Sequence, residues 1–117
     1  MKITLPIKTV PESNRREHWA QKHRRTSAQR MIAYNILRAE INAAKVKCSE
    51  ITLTRIAPRE LDDDNLATSF KAVRDGVADW LCGKYKKGND RIPGLQWKYS
   101  QRRGTPKHYA VEVEIIS

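Results

Sequence analysis

The chain has 117 residues, with 23 Lys and Arg against 13 Asp and Glu, for a net charge of +10 and a pI near 10.0. That length suits one domain, residues 1–117, and is too short for two independent cores; an apolar fraction of 39% in periodic runs excludes a disordered chain. The cationic excess favours a polyanion such as nucleic acid, and no stretch approaches the roughly 18 consecutive apolar residues of a membrane span. The opening MKITLPIKTVPES carries no apolar signal-peptide region, so a cytoplasmic location is expected. Cys48 and Cys82 lack CxxC spacing and suit small buried residues in a reducing compartment.

Ile3, Leu5 and Ile7 alternate with Lys2, Thr4 and Pro6, which predicts a half-buried first strand, at a sheet edge because of Pro6. From Pro11 to Arg25 the chain is polar and basic around Trp19, and reads as a loop or arm. Trp19 there suits a packing anchor better than a base-stacking platform. Thr26 and Gln29 fit a capping box, so a helix is predicted from Thr26, with Ala33, Ile36, Leu37, Ile41 and Ala44 as its apolar stripe. The β-branched run EITLTRI, Glu50 to Ile56, predicts a second strand ended by Pro58. A second helix follows from about Leu66 to Cys82, burying Leu66, Phe70, Val73, Val77 and Leu81, with Gly83 suited to the left-handed position after its end. The loop GKYKKGNDRIPG leads to LQWKYSQ and, past RRGTP, to HYAVEVEII, whose alternation signals a terminal hairpin. The order β, α, β, α, β, β predicts an α+β domain, a four-stranded mixed sheet covered by two helices.

Between the second strand and second helix stand Asp62, Asp63 and Asp64. Adjacent carboxylates need a cation or hydrogen-bond donors to ionise together. In extended backbone Asp62 and Asp64 project to one face and make half of a magnesium site, since hard divalent ions take carboxylate, water and phosphate oxygens. The alternative is that Asp64 or Asn65 caps the helix and the neighbouring acids answer its dipole. Lys71 and Asp75 lie seven and eleven residues beyond Asp64, near the same helical face. A lysine leaning toward the helix N-terminus would meet a phosphate there; a plain surface ion pair with Asp75 is the simpler role. Both remain open on these residues alone.

DDDNL, then FKAVRDG, then an acid in GNDR, resembles the RusA-type Holliday-junction resolvases, small metal-dependent DNA endonucleases often encoded by phages and prophages. The resemblance spans most of the chain, including ITLP, the basic arm, the acidic strand end and the last two strands. It implies metal ligands at Asp62, Asp64 and Asp90, a catalytic Lys71, and Mg2+ or Mn2+ as cofactor. It implies no small-molecule cofactor. Thr68 stands where the family commonly has its lysine, three residues before Lys71, and Asn89 stands where an additional acid often occurs.

Arg15, Arg16, Lys22, Arg24 and Arg25 around Trp19, with Lys84, Lys86 and Lys87 before Asp90, form candidate phosphate contacts. Symmetric cutting of a four-way junction requires two sites, so the resemblance implies a homodimer on branched DNA, with the hairpin or the first helix's stripe as dimer surface. The function expected is a magnesium-dependent endodeoxyribonuclease for Holliday junctions in recombination and repair, in a bacterial cytoplasm and away from membranes. The rival expectation is a non-catalytic nucleic-acid-binding protein whose acids only cap a helix. A third keeps the nuclease and changes the target to flaps, forks or RNA.

Overall fold

The computed structural model describes residues 1–11 and 17–117. Four strands, β1 (Lys2–Leu5), β2 (Glu50–Ala57), β3 (Gln96–Arg103) and β4 (Ala110–Ile116), form one sheet in the order β1-β4-β2-β3. With helices α1 (Trp19–Glu40), α2 (Asp63–Ser69) and α3 (Lys71–Cys82), the fold is α+β with a mixed sheet. β1 is an edge strand that pairs only with β4 in the sheet, as Pro6 predicts. No helix among the described residues is long and apolar enough to cross a membrane.

The helices pack on one sheet face. Leu5, Leu53, Val111 and Val113 from the strands meet Ala33 and Leu37 of α1 and Val73 and Val77 of α3, all fully buried. Apolar burial at these alternating and helical positions supplies the main folding drive. The opposite face is polar, tied by ion pairs such as Lys98–Glu50 at 2.8 Å and Arg102–Glu112 at 3.2 Å. At Gly76 the backbones of α3 and α1 nearly touch: a Cβ there would lie 2.5 Å from the Arg30 carbonyl oxygen.

Three local expectations are corrected. First, α1 begins at Trp19 rather than Thr26. His18 caps it, Nδ1 accepting from the Ala20 N–H at 3.2 Å, while Thr26 Oγ1 donates to the Lys22 carbonyl at 2.9 Å within the helix. Its first turns are solvated, so WAQKHRR carries no apolar period to announce them. Second, the second helix is two helices broken at Phe70 (φ −93, ψ −2). Thr68 and Ser69 hydroxyls donate back to the Asn65 and Leu66 carbonyls at 3.1 and 2.7 Å, which loosens the helix. The fully buried Phe70 ring stacks 5.4 Å from Tyr99.

Third, β3 and β4 are not a hairpin. β2 lies between them, parallel to β3 and antiparallel to β4, and the RRGTP connection crosses the end of β2, where the Gly104 N–H donates to the Ala57 carbonyl at 2.9 Å. Both proposed dimer surfaces are largely interior: Ala33, Leu37 and Ile41 of the stripe and Val111, Val113 and Ile115 of β4 are buried in this chain's own core. Gly83 ends α3 as predicted, at φ 87, its N–H meeting the Asp79 carbonyl at 2.9 Å.

Candidate functional site

The acids stand where β2 hands over to α2. Gln101 of β3 fastens this junction, accepting from the Leu61 N–H at 2.9 Å and donating to its carbonyl at 2.7 Å. Arg55, buried in β2, donates to the Arg59 carbonyl at 2.6 Å, and burial pushes its guanidinium pKa down. Asp62 is the N-cap: its Oδ1 accepts from the Asn65 N–H at 2.9 Å. Asp63 and Asp64 occupy the exposed first turn, where the helix dipole favours them. The cap is therefore Asp62, not Asp64 or Asn65, and the extended arrangement that would aim Asp62 and Asp64 together is replaced by helix from Asp63 onward. Asp62→Ala should destabilise the protein by about 1 kcal/mol in urea titration, against little change for Asp63→Ala.

Lys71 opens α3 and does not lean back toward these acids. Its Nζ donates to Asp90 Oδ2 at 2.8 Å and to Asp75 Oδ1 at 3.0 Å. Arg74 stands 3.5 Å from the same Asp90 oxygen, donates to the Tyr99 hydroxyl, and lies 4.8 Å from the Trp97 ring centroid. Burial opposes ionisation of Asp90, but the Lys71 hydrogen bond and the Lys71 and Arg74 charges outweigh it and hold the carboxyl below its ordinary value. Lys71 shows the reciprocal effect: partial burial is overcome by Asp90 and Asp75, and its pKa rises. The simpler sequence reading, an i,i+4 pair with Asp75, is present, with Asp90 as a second partner.

Asp90 reaches Lys71 because its loop is pinned by two residues that sequence reasoning missed. Asp79, fully buried, accepts from Arg30 Nε at 2.6 Å and Nη2 at 2.8 Å, and from the Gly88 N–H at 2.9 Å. Gly88 presses so closely on α3 that a Cβ would sit 2.2 Å from the Ala78 carbonyl carbon. Trp97 Nε1 then donates to the Asp90 carbonyl at 2.9 Å. Desolvation works against the Asp79 charge, yet Arg30 and the loop N–H groups leave its pKa lowered.

Beside Lys71 a cleft of about 860 Å³ separates the first half of α1 from α2 and α3. Of the expected phosphate contacts, Lys22 and Lys86 line it. Arg24, Lys84 and Lys87 are exposed elsewhere along their segments, and Arg25 pairs with Glu17 at 2.8 Å. Arg15 and Arg16 lie outside the described residues. Trp19 is not a packing anchor; it is 74% exposed, 5.7 Å from the His18 ring. Cys82 is exposed and Cys48 half-buried, with burial pushing the Cys48 thiol up.

Asp62, Asp64 and Asp90 do not form one ligand group: among the described residues no three His, Cys, Asp or Glu are arranged to hold a metal ion. Asp62 Oδ1 accepts the cap hydrogen bond and Asp90 Oδ2 accepts from Lys71, which leaves each carboxylate a second oxygen. No protein-family model, curated protein or solved structure matches the chain.

Proposed function

We propose that this protein is a structure-selective endodeoxyribonuclease of the RusA type, cutting phosphodiesters at Holliday junctions and related branched DNA as a homodimer, in recombination and repair in a bacterial cytoplasm. The observation that carries the proposal is the meeting of Lys71, Asp75 and Asp90 at a cationic cleft, since Lys71 and Asp90 occupy the motif positions FKAVRDG and GNDR. The chain's own contribution follows from charge. A phosphate arriving at the cleft competes with Asp75 and Asp90 for the Lys71 ammonium, which then neutralises a phosphoryl oxygen, while Arg74 stays fixed by Tyr99 and Trp97. Mg2+ or Mn2+ belongs to the proposal through the resemblance alone, and no step is assigned to it. The two-fold symmetry of a dimer would supply the second cut.

The test is cleavage of a synthetic four-way junction with and without Mg2+. Lys71→Ala should lower the rate by about 10²–10³. Asp64 enters through the resemblance, as a metal ligand: Asp64→Asn should abolish cleavage while junction binding persists, and full activity in that variant removes the proposal. A second reading has its own observation, the Asp62 cap: a non-catalytic nucleic-acid-binding protein. It predicts no junction cleavage in any metal and no saturable Mg2+ binding by calorimetry.

A further inference from the structure

The cleft itself carries a more specific assignment. Along α1, Lys22, His23, Thr26 and Arg30 recur at helical spacing on the face that lines it, and Trp19 stands one turn earlier on the same face. The cations in the cleft are not equivalent. Arg30 is neutralised by Asp79 and Lys71 by Asp75 and Asp90, whereas Lys22 and Lys86 pair with no described carboxylate. Lys86 Nζ lies 5.6 Å from the Tyr85 ring centroid. Beside the paired charges of Arg30, Lys71, Arg74 and Asp75, the lining includes Ala67, Ala72 and the Tyr85 ring. The Tyr85 hydroxyl is buried in the wall with no described hydrogen-bond partner.

A duplex offers mainly its phosphate ridge to a protein groove, whereas an unpaired strand offers phosphates and base faces together. Two lysines without a described carboxylate partner, apolar and aromatic lining at Ala67, Ala72 and Tyr85, a volume within the roughly 300–1,000 Å³ of ligand clefts, and an exposed indole one helical turn before Lys22 match the second. We propose that this cleft binds an unpaired segment of single-stranded DNA, with phosphates on Lys22 and Lys86 and a base stacked on Trp19. It rests on the nuclease proposal only for the source of the strand, the unpaired bases at a branch point; binding requires neither metal nor cleavage.

The experiment titrates a labelled single-stranded oligothymidylate, and a duplex of equal length, into the full chain in a chelator, reading anisotropy and tryptophan fluorescence. Of the other two tryptophans, Trp80 is buried and Trp97 half-buried, so quenching by the strand should come from Trp19. Wild type should bind the single strand more tightly than the duplex. Trp19→Ala should remove the quenching and weaken binding about tenfold. Lys22→Ala with Lys86→Ala should weaken it at least about tenfold and lower the salt slope by about 1.4, two phosphates' worth.

Lys45→Ala with Lys47→Ala removes the same charge past the C-terminal end of α1, an end about 27 Å along the helix from Lys22, and should leave affinity within about twofold. All five side chains are exposed, and circular dichroism melts of each variant confirm that folding is intact. Preference for duplex, quenching retained without Trp19, or equal losses in the two lysine pairs overturns the assignment. Junction cleavage is measured alongside: intact cleavage with no strand binding sinks the cleft alone, and strand binding without cleavage sinks the nuclease alone.

Discussion

Lys71, Asp75 and Asp79 follow one another at successive turns on one face of α3, and their side-chain exposure falls from 63% to 24% to 0%. The inner end is an Arg30–Asp79 pair joined by two hydrogen bonds, with a loop N–H as a further donor. The outer end is one lysine shared between two carboxylates. Both are acid–base pairs, yet they have opposite uses. Burial makes the inner pair costly to break and hence architectural; exposure lets the outer lysine exchange one anion for another at little cost, which a phosphate-binding group needs.

The contrast can be broken most sharply at Asp79. Asp79→Ala leaves Arg30 unpaired against the helix interface and frees the Gly88 N–H, and should destabilise the fold by about 3 kcal/mol in denaturant titration. Replacing both partners, Arg30→Met with Asp79→Leu, should recover much of that loss. If the single change is harmless, the inner pair is not architectural.

A smaller effect concerns pH. Asp79 and Asp90 both have folded pKa values below their ordinary carboxylate range, so the unfolded chain binds protons more readily. Their stabilisation is present above about pH 3.9, the unfolded value, and is lost as pH falls through the lowered folded values. Lys71 acts at the other limit: its raised pKa contributes stability below about pH 10.4, lost as pH rises through the folded value. Urea midpoints measured from pH 2 to 5 should show a shallower acid decline for Asp90→Asn than for wild type. The smallest expected change is Lys71→Ala at neutral pH, within about 0.5 kcal/mol of wild type, because the ammonium is mostly solvated. A large loss there would make the outer cluster as architectural as the inner.

The legible parts of the fold were those with a local period. β2, the buried face of α3 and the Gly83 terminus each declare themselves within a few residues, and Pro6 marked an edge. What escaped was set by distance or by solvent. Arg30 and Asp79 are 49 residues apart and leave no joint pattern. The first turns of α1 bury little, so their helical state had no hydrophobic signature. The apolar alternation of β3 and β4 is real, but alternation specifies which face is buried and not which strand is the neighbour, so the intervening β2 was invisible. At the site, the acidic run was legible as a helix start and Lys71–Asp75 as a pair, whereas the Asp90 contact depends on a loop folding back over α3.

The position of β2 also dictates a sequence of events during synthesis. Both of its neighbours are made after it, and β1, made before all of them, has no sheet partner until β4 emerges. Until β4 emerges, two strands with unmet backbone donors and acceptors wait for a third, a slow nonlocal closure that leaves aggregation-prone edges on the nascent chain. A transcript interrupted before Ala110 would yield a polypeptide that owns every residue of the cleft and cannot assemble the sheet beneath it.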